Sequence, residues 1–202
     1  MRWRQPEDLR TIEQLLDFYR QADEAILGKL TDLDRTAISR LSAESRQLAA
    51  AYAGLAPRQL AARCGWPVIE ESLTVAAGRL HLLGECSFAP GRQPRLLINR
   101  RAIDAVSHHA LKLVGDADSA WFSPAALDDL TIAHELHHLL TGHLLTGHLL
   151  TGHLLTGQAA TSLNEQGAHI FARALTGWPF SPLVLPALLQ RRSWPSRRRS
   201  GI

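Results

Sequence analysis

The segment SPAALDDLTIAHELHHLL constrains the fold more than any other part of the chain, because its capping residues and its apolar spacing agree on a helix. Ser123 is placed as an N-cap, Pro124 occupies the first helical position, and Asp128 and Asp129 lie early, toward the positive end of the helix dipole. Leu127, Leu130, Ile132, Leu136 and Leu139 supply a buried side. Inside this helix, His134-Glu135-Leu136-His137-His138 satisfies HExxH. Positions i and i+4 lie one above the other, so the imidazoles of His134 and His138 can reach a single ion. Glu135 then points beside that ion, placed as general base toward a water there and as general acid toward a departing amine.

A catalytic zinc site takes three protein ligands and keeps one position open. The third is expected on a second element packed against the first helix. ATSLNEQGAHIFARALTG reads as an amphipathic helix from about Ser162 to Gly177, and Glu165 is its candidate ligand. His169 shares a helix face with Glu165, and Asn164 precedes it. One of Glu165 and His169 can ligate while the other orients a ligand or stabilises an oxyanion, and Asn164, just before Glu165, is a further candidate for those supporting roles.

Between these helices HLLTG is repeated four times, from His138 to Gly157. A five-residue period advances about 140° per repeat on an α-helix, and an odd period changes face on a strand. His138, His143, His148 and His153 therefore point in different directions, and only His138 belongs to the motif. A glycine every fifth residue costs a helix about 1 kcal/mol each, which permits a continuous helix without encouraging one. The repeat reads as a dispensable extension of the connection between the two metal-bearing helices, with no metal role for His143, His148 or His153. His137 lies about 60° from His134 around the helix and is assigned to packing or surface. His108 and His109 read as surface helix residues, His81 as a partly exposed strand residue, and Cys64 and Cys86 as buried apolar positions.

Upstream, Ile12, Leu15, Leu16, Tyr19, Ala22 and Ile26 mark a helix from about Glu7 to Leu30. A second helix, capped by Asp32 or Asp34, carries Ile38, Leu41, Leu48 and Tyr52 on its apolar side. A short helix follows, Arg58 to Cys64, framed by Pro57 and Gly65. Trp66 to Ile98 reads as two to four short antiparallel strands with Pro90 to Pro94 as a connection, and Arg101 to Val114 as a helix before a loop at Gly115 to Ser119.

The order HExxH, connection, then Asn-Glu on a second helix resembles the gluzincins, in which an aspartate commonly stands four residues after the glutamate; here that position is His169. More narrowly, LTIAHELHHLL followed by NEQGAHIFARAL resembles the ImmA/IrrE-type metallopeptidase family. Glu165, Ala168, Phe171, Ala172 and Leu175 match its second block, LAARCGWPV is similar to the approach to its small sheet, and RLLINRRAI to the strand before its active-site helices. The similarity covers about Arg58 to Leu185. It implies an α+β zincin-like domain in which zinc is held by His134, His138 and Glu165. It also implies cleavage of a protein, typically a helix-turn-helix repressor, in prokaryotic stress or mobile-element regulation. The expected organisation is a helical segment over residues 1–56, the zincin-like domain over 57–187 and a basic disordered tail over 188–202. An edge strand within Gly78 to Phe88 is expected to align an extended peptide. The rival reading is a metal-binding regulatory module of the same fold that recognises a partner without cutting it.

Composition narrows the setting. The chain of 202 residues is 46% hydrophobic and 20% charged, enough to bury a core without disulfides or metal. Two cysteines make no disulfide framework, no apolar run approaches the roughly 18 residues of a membrane span, and the charged start MRWRQPEDLR carries no secretory signal. The expected compartment is cytoplasmic. Arg191, Arg192, Arg197, Arg198 and Arg199 sit in the last twelve residues, and without these five the formal charge falls from +3 to −2. The basicity thus belongs to the tail. Nucleic-acid contact through it is the lesser expectation beside a solvated terminus, and a protein substrate is the expected partner.

Overall fold

In a computed structural model the described residues are 9, 11–21, 35–72, 83–87, 93–148 and 158–190. Among them are eight α-helices and a three-stranded sheet, an α+β architecture. The N-terminal helix α1 spans Ile12–Gln21 and buries Ile12, Leu15, Leu16 and Tyr19; Ala22 and Ile26 of the expected stripe lie outside the described residues. Helix α2 spans Arg35–Ala51, and its deepest residues differ from the expected apolar stripe. Ile38 is buried, but Leu41, Leu48 and Tyr52 are only half-buried, while Ser42, Ser45 and Ala49 sit in the interior. Small side chains let a helix approach its neighbour closely, and that decides which face turns inward. The short helix α3, Pro57–Arg63, begins at Pro57, with Gly65 just past its end at φ +71°.

The sheet is mixed rather than antiparallel. Strands β1 (Val68–Glu71), β2 (Gly84–Ser87) and β3 (Arg95–Asn99) take the order β1-β3-β2. β3 pairs in parallel with β1, Val68 opposite Leu96, and antiparallel with β2, Gly84 opposite Ile98. Turn residues and alternation mark where strands lie but carry no information on their direction. β3 became the centre because Leu96, Ile98 and Asn99 are all buried. The backbone N–H of Asn99 donates to Leu83 at 2.8 Å, so Leu83, Glu85 and Ser87 bond to β3 while Gly84 and Cys86 turn their backbone groups to the other edge. Residues 73–82 and 88–92, with His81 and part of the expected edge strand, lie outside the described residues.

No loop separates β3 from helix α4 (Arg100–Leu111), because the Asn99 side chain caps it by accepting from the backbone N–H of Ala102 at 3.2 Å. Where a loop was expected at Gly115 to Ser119, a helical turn α5 (Asp116–Ser119) and a 3-10 turn (Ala120–Phe122) pack Phe122 into the core. Helix α6 then runs Pro124–His148, its start secured by the Ser123 hydroxyl, which accepts from Ala126 at 3.3 Å. The helix continues through the first two HLLTG units, the course that the glycine spacing permits without encouraging. Gly142 costs helix propensity only, and no tertiary contact opposes the continuation there. His153 and the end of the repeat lie outside the described residues.

Helix α7 (Gln158–Thr176) packs back on both α6 and α2, and α8 (Val184–Gln190) closes the domain on α4 and α1. A single hydrophobic cluster runs from Leu9 and Leu15 through Ile98, Leu136 and Phe171 to Leu188. Leu188 is in the core, so α8 reaches past the expected tail boundary, and residues 191–202 lie outside the described residues. No helix among the described residues is long and apolar enough to cross a membrane.

Candidate metal centre

The two turns of α6 that carry HExxH are fixed at one end by charge and at the other by close packing. Asp128, one and a half turns before His134, has a side chain only 8% exposed and accepts from Arg58 Nη2 at 2.7 Å and Arg100 Nη2 at 3.0 Å. Both guanidiniums also engage Glu70 on β1, so α3, β1, α4 and α6 meet in one four-residue ionic network. The hydrogen bonds from Arg100 and then Arg58 hold the Glu70 carboxyl below its usual range. Nothing in the spacing of these residues announced the network; Asp128 was legible only as a helix-start acid.

At the other end, His137 is buried and faces α2 and α7. Its Nε2 lies 3.5 Å from the Ser45 hydroxyl, and its ring stands 5.6 Å from that of Phe171. Burial pushes its pKa down to about 3, so it is neutral at ordinary pH. Gly167 makes this approach possible, since a Cβ there would lie 2.8 Å from His137 Cε1 and 3.1 Å from Leu41 Cδ1. His137 is thus a packing residue. His109 is half-buried rather than on the surface, with Nε2 3.1 Å from the Leu188 carbonyl, while His108 is exposed.

The turn between these anchors presents four donors with α7. His134 Nε2 and His138 Nε2 are 3.1 Å apart; Glu165 Oε2 is 3.2 Å from the first and Glu165 Oε1 3.4 Å from the second. Both imidazoles thus lie against one carboxylate, each through a different oxygen of Glu165. His169 joins the same cluster, with its ligand atom and those of His134 and Glu165 all within 4.8 Å of one another. The group that offers one ligand atom from each residue and could hold a metal is therefore His134, Glu165 and His169, with His138 of the expected set packed beside it. The Nδ1 of His169 is buried without a hydrogen-bond partner, and burial holds that imidazole's pKa down at about 3. The Asn164 side chain hydrogen-bonds to His138, while burial lowers the His138 pKa. A hydrogen bond to His134 takes the Glu165 carboxyl down to about 2, and the side chain is 47% exposed, so one side of the cluster is open.

Glu135 stands beside the cluster and is only 8% exposed. Burial raises its pKa, against the opposing pull of His134, and Cys86 on β2 hydrogen-bonds to it. The same burial, with Glu135 nearby, pushes the Cys86 thiol up to about 12. Cys86 and Cys64 are free and half-buried. β2 comes this close because Gly84 has no side chain: a Cβ would sit 2.6 Å from Thr131 Cγ2 and 3.2 Å from Glu135 Cγ. Gly84, Gly167 and Cys86 were not identified from sequence, where a glycine required by close approach looks like any other.

Comparison with known protein families, with curated proteins and with solved structures finds no match for this chain.

Proposed function

We propose that the protein is a zinc-dependent metallopeptidase of zincin-like architecture, holding zinc through His134, His138 and Glu165 and hydrolysing a peptide bond in a regulatory protein. The observation that carries this reading is the gathering of His134, His138 and His169 about Glu165, with a buried carboxylate, Glu135, beside them. Zinc held there would supply a Lewis acid, able to polarise a carbonyl and to make a water more acidic. Glu135 takes the proton of that water and returns it to the departing amine. Its burial raises the carboxyl toward the pH at which both transfers are efficient. An extended substrate would be aligned alongside β2, the strand that reaches Glu135 through Cys86. A helix-turn-helix repressor is the substrate suggested by the resemblance to ImmA/IrrE-type enzymes, and the reaction would then be cytoplasmic.

The test is metal content and peptide cleavage of the full chain purified without added metal. Near-stoichiometric zinc is expected in the native chain and in Glu135→Gln, with loss in Glu165→Ala. Cleavage is expected to fall about 10²–10⁴-fold in Glu135→Gln although its zinc is retained. Chain without tightly bound metal would overturn the proposal, and zinc without cleavage would favour the interaction-module reading.

A further inference from the structure

Beside the candidate metal centre lies a cavity of about 260 Å³ whose one end is formed by His134, Glu135, Glu165 and His169. The rest of its lining is apolar apart from Thr131. It is built by Val106 of α4, Leu130 of α6, and Leu183, Leu185, Pro186 and Leu189 from α8 and the turn before it. Val106, Leu130 and Leu185 are buried, while Leu183 and Leu189 are half-buried at the rim. Thr131 also lines the cavity, but its hydroxyl donates to the Leu127 carbonyl at 2.7 Å and is already satisfied. Apart from Glu135 and Glu165, no charged side chain among the described residues lines it.

We infer that this apolar end receives a bulky aliphatic or aromatic side chain of the peptide substrate, from one of the two residues that flank the scissile bond. The inference rests on the metallopeptidase reading for its substrate, but on the cavity alone for its selectivity. The volume lies just below the range of about 300–1,000 Å³ typical of pockets for whole small molecules, which suits a single side chain. Continuity with the donor cluster means that a side chain seated there places its own backbone at His134 and Glu135. A charged or amide side chain seated among the leucines and prolines would lose its water to walls without polar side chains, whereas an apolar one exchanges hydrated surface for contact with four leucines. Leu130, Leu183 and Leu189 are accordingly assigned as specificity-determining residues, in contact with substrate but not with the reacting atoms.

The experiment measures affinity rather than turnover. A series of N-acyl amino acid hydroxamates with glycine, leucine, phenylalanine or aspartate side chains is titrated calorimetrically into the zinc-loaded full chain and its Glu135→Gln variant. The leucine and phenylalanine members are expected to bind about 10- to 100-fold more tightly than the glycine member, and the aspartate member no better than glycine. Leu183→Trp, which fills the rim, should bring the leucine-to-glycine ratio close to one. Leu189→Ala, which enlarges the cavity, should shift the preference from leucine toward phenylalanine. Equal affinity across the series in the native chain would overturn the inference, whether the cavity takes no side chain or is filled by the chain's own residues. A preference for aspartate would overturn it equally. Discrimination by a chain that cleaves no peptide would overturn the peptidase reading and leave the pocket standing, and failure of every member to bind would overturn both.

Discussion

At the residue scale, the histidines of this chain divide by environment rather than by spacing. His134 and His138 meet Glu165 at the edge of a cavity, while His137, between them in sequence, is sealed against Ser45, Phe171 and Gly167. Burial holds both His137 and His169 at about 3 in the folded chain, against about 6.5 when unfolded. The unfolded state therefore binds more protons than the folded state between those values. Stability is full above about pH 6.5 and falls as the pH drops through the window, by up to about 1.4 kcal/mol per pH unit for each histidine. Urea unfolding of the metal-free chain at pH 7, 6 and 5 should show this decline, and His137→Gln should reduce its slope by about one proton. Parallel slopes would contradict a neutral buried His137. The HExxH pair and Glu165 were legible because a helix repeats its faces regularly. The glycines that bring β2 and α2 into contact with the site were not, because their role exists only between segments distant in sequence. Under the proposed peptidase function, Gly84→Ala should therefore reduce cleavage by at least about tenfold, as its Cβ displaces Thr131 or Glu135. Activity like that of the native chain would show that the sheet yields without moving the carboxylate.

At the scale of elements, α6 carries the site and is held by interactions of two different strengths. Its Asp128 network joins a nearly buried carboxylate to two guanidiniums that remain partly exposed, Arg58 at 40% and Arg100 at 30%. Asp128→Asn should lower stability by about 1–3 kcal/mol by chemical denaturation, since it weakens two charge-assisted hydrogen bonds while the arginines can turn to water. Gly142, farther along the same helix, has open space where a Cβ would be. Gly142→Ala should raise stability by about 0.5–1 kcal/mol, and no change would mean that the helix is not formed there in solution. The start of α6 could be read from Ser123 and Pro124, because capping is local chemistry. Its extension into the repeat could not, because propensity is a weak term that neighbouring turns override. The parallel pairing of β1 with β3 was equally hidden, since strand direction is set by the path of the chain and leaves no mark in a four-residue run.

At the scale of the whole molecule, the two halves of the candidate site come from helices α6 and α7, which the HLLTG repeat joins. Deleting residues 143–157, three whole HLLTG units, should leave zinc content unchanged and shift stability by less than about 1 kcal/mol, because loop-closure entropy varies only slowly with length. Loss of zinc binding on that deletion would instead assign the repeat a part in holding α6 against α7.

The N-terminal helix has its partners at the opposite end of the chain. The Ser181 N–H donates to the Tyr19 carbonyl at 2.8 Å, Arg20 lies over the Phe180 ring at 4.9 Å, and Arg173 donates to the Arg20 carbonyl at 3.1 Å. A ribosome delivers these partners roughly 160 residues after α1, which at about 5–20 residues per second is a delay of roughly 8–30 s. Throughout that interval Ile12, Leu15, Leu16 and Tyr19 form an apolar stripe awaiting its permanent cover. The nascent chain is therefore a natural client for holding chaperones, and a message truncated before Phe180 would yield a product with that stripe open to aggregation and proteolysis.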